Sequence, residues 1–139
     1  MSDAETYRLD DQIGYILRRV TQRHLSIFAA AIPEVTTTQF AVLARLAEIG
    51  PVSQNQLGRA TAMDAATIKG VVDRLAKLGY LATSADPADR RRLTVSLTEA
   101  GTKLFAARAA TALQVSQDTV APLTADEART LQALLLRLT

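Results

Sequence analysis

The densest chemistry in this 139-residue chain lies at Asp89-Arg90-Arg91-Arg92, one aspartate followed by three arginines. A guanidinium is planar, permanently charged and weakly hydrated, which suits it to phosphate and to the negative potential of a narrow DNA groove. An aspartate two residues earlier can hold such an arginine in position. The flanking residues, Tyr80-Leu81-Ala82-Thr83 and Leu93-Thr94-Val95-Ser96-Leu97, are strand-like. The arginines then stand at the tip of a two-stranded hairpin, where no core can bury them. A solvated charged turn is the plainer alternative.

The second chemical feature is His24, the only histidine. It falls on the apolar stripe of the first helix, one helical step after Val20. It can serve as a core or interface histidine satisfied by a neighbouring carbonyl, or as a polar contact in a small-molecule pocket. Tyr15, Arg18 and Arg19 lie nearby on the helix surface and could help bind an anion. With one histidine and no cysteine there is no disulfide, no thiolate, no metal-ligand cluster and no nucleophile-base pair. No glycine loop suits a nucleotide, and no carboxylates pair at suggestive positions. Catalysis, metal and cofactor are therefore not expected.

These residues need elements to hold them, and composition says which kind. Hydrophobic residues make up 48% of the chain, mostly Ala and Leu, and aromatics only 4%, which favours helix over sheet. The length suits one domain, or one domain with an oligomerisation element. The start, MSDAETYRLDDQ, has no basic-then-apolar leader, and no window reaches the roughly 18 unbroken apolar residues of a membrane helix. A cytoplasmic protein without membrane attachment is expected. The net charge of +2 hides an uneven distribution: −1 over residues 1–49, +3 over 50–98 and 0 over 99–139. A modest basic patch in the middle suits a protein that touches a few phosphates.

In chain order, a first helix is expected from Leu9 to Ile32, stopped by Pro33, with Leu9, Ile13, Leu17, Val20, Ile27 and Phe28 as its stripe. Thr36 and Gln39 read as a capping box opening a helix through Ile49, closed by Gly50-Pro51. Ser53 and Gln56 read as a second box, opening a short helix that ends near Ala60. Thr61-Ala62-Met63 is a turn, and Asp64 caps the next helix. There Ile68, Val71, Val72, Leu75 and Leu78 recur at helical spacing, leaving Ala66, Lys69, Gly70, Asp73 and Lys77 opposite. Gly79 ends it. Two helices across a tight turn, the second amphipathic and followed by a basic hairpin, form a winged helix-turn-helix pattern.

After the hairpin, Thr98 caps a long alanine-rich helix through Val120, broken by Pro122. Thr124 and Glu127 form a third capping box, and the last helix carries Leu131, Leu134, Leu135 and Leu138 in a stripe. Its leucines must be covered, and the small residues before it permit close helix approach. The expected class is thus mainly α with a β wing: one domain over 1–139, a winged unit at 36–98, and dimerisation helices at 9–32 and 99–139. A two-fold homodimer is the expected symmetry.

The run 79-GYLATSADPADRRRLTVSLTEAG-101 resembles the MarR family of bacterial transcriptional regulators. The likeness rests on Asp89-x-Arg91 followed by Leu97-Thr98 and Gly101, on Val72-Asp73-Arg74-Leu75 with Gly79, and on TTTQFAVLARL at 36–46. It implies a homodimer of winged-helix subunits that binds a palindromic double-stranded DNA operator and is released by a small aromatic or phenolic effector. It places Ala65, Ala66, Thr67, Lys69 and Gly70 toward base edges, and Arg74 and Lys77 toward phosphates. Ser53 and Gln54 would meet the DNA backbone, with Arg90 and Arg91 at the wing tip and Asp89 as the partner that orients Arg91.

Two positions depart from the family pattern. Thr83 and Ser84 stand where many members have arginine, and Gly70 replaces a frequent arginine. Fewer cations imply a shallower salt dependence, and Gly70 would let the helix approach DNA closely. The resemblance also makes Tyr15, Arg19 and His24 the effector candidates. YRLDDQIGYILRRVTQRH further resembles regulators of aromatic-acid catabolism, nicotinate repressors included. The function expected is that of a ligand-responsive repressor of catabolic, efflux or stress genes. The alternative is a protein-interaction module in which hairpin and leucine stripe bind another protein.

Overall fold

The computed structural model describes residues 6–139 and contains, among them, six α-helices and a three-stranded antiparallel sheet. Met1 to Glu5, the first part of the stretch inspected for a leader, lie outside the described residues. Two compact units divide the chain: Ile32–Ala110, and the terminal segments up to Ala31 and from Thr111 onward.

In the Ile32–Ala110 unit, α2 (Thr37–Ile49) starts on a complete capping box. The Gln39 amide donates to Thr36 Oγ1 at 3.1 Å, and Thr36 N–H donates to Gln39 Oε1 at 3.0 Å. Phe40, Val42, Leu43 and Leu46 turn inward. Gly50 closes the helix at φ 75°, a left-handed conformation that glycine adopts without a steric penalty. Then come β1 (Val52–Ser53), α3 (Gln54–Ala60), α4 (Ala65–Lys77), β2 (Leu81–Ala85), β3 (Leu93–Leu97) and the first part of α5 (Glu99–Thr119). The sheet order is β1-β3-β2, with Val52 opposite Val95 and Leu81 opposite Leu97. The core gathers Val42, Leu43, Leu57, Ile68, Val72, Leu75 and Val95, each essentially inaccessible to solvent. Burying one such side chain stabilises the unit by about 2 kcal/mol.

Three local details differ from the sequence reading. Strand β1 was not expected, because two residues are too short to show an alternating pattern. The Ser53 cap is one-sided. Its Oγ accepts from Gln56 N at 3.2 Å, yet Gln56 Oε1 meets the Ser53 hydroxyl, also at 3.2 Å, because Ser53 is at the same time a strand residue opposite Thr94. Tyr80 does not begin β2. Its N–H donates to Leu75 O while Gly79 N–H donates to Ala76 O, both at 3.0 Å, so the two residues close α4 in a Schellman arrangement with Gly79 at φ 86°. The strand starts one residue later and runs on to Ala85.

In the terminal unit the expected single helix from Leu9 is interrupted. Leu9–Asp11 form a 3-10 turn, Gln12 is extended, and α1 runs Ile13–Ala31. Gln12 holds the break by donating from Nε2 to Arg8 O at 2.8 Å. The unit also holds the C-terminal part of α5 and α6 (Ala125–Leu136), which starts on the Thr124/Glu127 capping box. Its buried apolar residues are Phe28 and Val115, whereas Ile13, Leu17, Val20, Leu113, Leu134 and Leu138 stay exposed. No helix among the described residues is long and apolar enough to cross a membrane.

Candidate nucleic-acid interface

The second helix of the helix-turn-helix owes its position to its first turn. Asp64 Oδ1 accepts from Thr67 N at 2.7 Å, and this bond holds the carboxyl below its ordinary pKa. Ile68, Val72 and Leu75 anchor the inner face. Gly58 of α3 permits that packing, because a Cβ there would lie 3.1 Å from both Ile68 Cγ2 and Met63 O. Between the helices Ala62 takes φ 56°, and Met63 N–H donates to Gly58 O at 2.8 Å, which makes the turn tight.

With the inner face fixed, Ala65, Ala66, Thr67, Lys69, Gly70, Asp73, Arg74 and Lys77 are all exposed. Lys69 Nζ donates to Asp73 Oδ2 at 2.8 Å, and this bond raises the Lys69 pKa. A Cβ added to Gly70 would meet nothing within 4 Å, so nothing inside the chain requires a glycine there. Ser53 is 8% exposed and its hydroxyl is engaged by Gln56. Gln54 is half-buried, with Oε1 enclosed and unpaired.

The hairpin tip is shaped by its aspartates. Asp86 Oδ1 accepts from Ala88 N at 2.8 Å, Asp86 N–H donates to Arg92 O at 2.8 Å, and Arg92 N–H donates to Asp89 O at 2.9 Å. Asp89 Oδ1 accepts twice from Arg91, from the backbone N at 3.0 Å and from Nε at 3.3 Å. Short acceptor side chains that bond the backbone two residues on are the usual makers of such turns. The Arg91 side chain is nevertheless 93% exposed, and Arg90 and Arg92 are exposed beside it.

The effector candidates are distributed differently. Tyr15 is half-buried, Arg19 exposed and His24 half-buried, all on α1. At about 100° per residue, Tyr15 and Arg19 share a face while His24 lies roughly 140° around from Arg19. A single α1 therefore presents them on two faces. His24 Nδ1 is 2.9 Å from Thr119 Oγ1, and its ring tilts against Phe28 with centroids 6.4 Å apart. Arg23 beside it donates to the carbonyls of Asp118 at 2.9 Å and Thr119 at 3.1 Å, satisfying the end of α5.

Asp73, Asp86 and Gly58 had no assigned role in the sequence reading. The i,i+4 spacing of Lys69 and Asp73 is a legible signal for the first. No local pattern marks Gly58, whose neighbours come from the packed fold.

Residues 34–92 match the MarR family. Across 127 residues, 90% of this chain and 80% of the relative, the sequence is 42% identical to the HTH-type transcriptional repressor NicR of Pseudomonas putida. A solved structure of a probable transcriptional regulator from Pseudomonas aeruginosa superposes with TM-score 0.91 at 55% identity, covering 95% of this chain and 100% of that one. Bordetella bronchiseptica BpsR, whose DNA binding is described as regulated by 6-hydroxynicotinic acid, superposes with TM-score 0.86 at 40% identity over 95% of each chain.

Proposed function

The chain belongs to the MarR family of winged helix-turn-helix transcriptional regulators, and from that membership we propose that it is a repressor that occupies a palindromic operator as a homodimer. The observation that carries this reading is the cationic, exposed wing tip, Arg90 to Arg92, in the same compact unit as an α4 whose outer face bears Lys69, Arg74 and Lys77. Arg91 supplies minor-groove grip with Asp89 as its orienting partner. Ala65, Ala66, Thr67, Lys69 and Gly70 face base edges, Arg74 and Lys77 face phosphates, and Gln54 meets the DNA backbone near the start of α3 while Ser53 caps it. The apolar residues left open on α1, α5 and α6 of one chain supply the dimer contact.

Release is assigned to a small aromatic or heteroaromatic carboxylate, a class supported by the BpsR likeness. Arg19 with Tyr15 offers a cationic and phenolic face, and His24 a separate imidazole.

The test is binding to random-sequence duplex and to the duplex recovered from it by selection, each at several salt concentrations. Counterion release makes affinity fall steeply with salt, and Arg91→Ala weakens both duplexes and lowers the log–log slope by about 1. Salt-independent retention, or unchanged affinity in Arg91→Ala, would sink the reading. The effector arm titrates 6-hydroxynicotinic, nicotinic and benzoic acids against the selected complex with wild type, Arg19→Ala and His24→Ala. The variant that loses the response marks the face used, and no response in wild type removes this ligand class.

A further inference from the structure

The outer face of α4 carries one acidic side chain, Asp73, on the surface that the proposed function sets against a polyanion. Its carboxylate is no bystander: Oδ2 accepts from Lys69 Nζ at 2.8 Å, with the two side chains 54% and 67% exposed. Between them Gly70 leaves the helix surface bare.

Helix stability does not account for this pair. An acidic residue stabilises best when it precedes its basic partner by four positions, in accord with the helix dipole, and here the order is reversed. Asp73 also lies in the C-terminal half of α4, toward the negative end of that dipole, beside Arg74 and Lys77 in the last turn. Exposed pairs of this kind contribute little to folding. Against phosphate an aspartate is unfavourable, so any gain in selectivity has to come from what it does to its neighbour.

Free lysine is a flexible point charge that satisfies itself on any phosphate. Held by Asp73, the Lys69 ammonium is kept along the α4 face, with two of its three donors unspent. Two donors on one nitrogen suit the O6 and N7 acceptors of a guanine edge in the major groove. We infer that Asp73 is a specificity-determining positioning residue, which restrains Lys69 for a guanine edge and, by its own charge, weakens binding to arbitrary duplex. The inference rests on the DNA-binding reading above. Asp73 lowers grip in order to raise discrimination, so its removal moves the two quantities in opposite directions.

The experiment compares Kd for the selected duplex and for a scrambled duplex at matched salt, in wild type, Asp73→Asn, Asp73→Glu, Lys69→Met and the Asp73→Asn/Lys69→Met double variant. Asp73→Asn tightens scrambled-duplex binding several-fold, steepens the salt slope and lowers the ratio of the two Kd values about tenfold, the discrimination of one good base contact. Asp73→Glu restores part of the ratio, which loss of a merely structural residue would not explain. In the Lys69→Met background, Asp73→Asn leaves the ratio where it is, since the contact it positions is gone. An unchanged ratio in Asp73→Asn, or an equal drop with and without Lys69, overturns the inference while leaving DNA binding intact. Failure of wild type to bind any duplex in a salt-dependent way overturns both.

Discussion

Gly101, in the first turn of α5, lies so close to the Tyr80 carbonyl that no Cβ fits between them. Thr98 fixes the approach from both sides. Its hydroxyl donates to Gly79 O at 2.6 Å and accepts from Gly101 N at 3.1 Å, while its own N–H donates to Tyr80 O at 3.1 Å. The end of α4, the start of β2 and the start of α5 thus meet at one point. Gly101→Ala forces backbone against backbone and should destabilise the fold by about 3 kcal/mol, roughly 10 °C in Tm. Gly14→Ala, where a Cβ meets nothing within 4 Å, is the control and should not lower Tm. Equal melting of the two variants would show that the contact can relax.

Gly70 poses the opposite case, a glycine in mid-helix with open space around it. Such a glycine destabilises a helix by roughly 1 kcal/mol relative to alanine. Gly70→Ala should therefore raise Tm by a few degrees and, if the proposed interface holds, weaken binding to the selected duplex, because the added methyl stands on the face proposed to meet DNA. Thermal unfolding and duplex affinity, measured on the same sample, check both signs. If affinity holds or tightens as stability rises, close approach at Gly70 is wrong.

Acid should loosen the fold through three carboxyls. Asp64 is held below its ordinary pKa by the Thr67 amide, Glu127 by the Thr124 cap and Glu34 by its 2.7 Å bond with Arg108. A lowered folded pKa means that the ionised form is the favoured partner. Its contribution is present above the unfolded pKa and is lost as pH falls through the folded one. Asp64→Asn keeps an equally good cap that does not titrate. Urea unfolding between roughly pH 2 and 7 should show wild type losing stability faster than Asp64→Asn on the acid side, with parallel curves nearer neutrality. Parallel curves throughout would remove Asp64 from the acid response.

Much of this architecture is legible locally, and several of the exceptions share a cause. The caps at Thr36, Asp64 and Thr124 need only residues three apart, and Gly79 stops α4 by its own backbone freedom, so the helices they bound can be read from the chain. The Asp89–Arg91 contact is likewise two residues long. Several features that are not legible depend on partners far away in sequence. Strand β1 exists because β3 pairs with it, and Gly58 and Gly101 matter because Ile68 and Tyr80 pack against them. The opposed placement of Arg19 and His24 on α1 follows from helical angle, yet both fall within one short polar stretch that reads as a cluster.

His24 allows one more inference from hydrogen bookkeeping. Thr119 Oγ1 is 2.8 Å from Val115 O, which can only accept, and the hydroxyl has a single proton to give. For the 2.9 Å contact with His24 to be a hydrogen bond as well, the imidazole must donate. Neutral His24 is then the tautomer protonated at Nδ1, and Nε2 carries a lone pair. A group that meets the neutral ring at Nε2 has to offer a proton, as a hydroxyl or N–H does. Long-range nitrogen–proton NMR correlation on labelled protein with the ring neutral should show Nδ1 as the protonated nitrogen in wild type. Thr119→Val, which deletes the acceptor, should shift the population toward protonation at Nε2. Protonation at Nε2 in wild type would mean that the threonine donates to the ring and that Nε2 offers a proton instead of a lone pair, and a tautomer indifferent to Thr119→Val would mean that Thr119 does not set it.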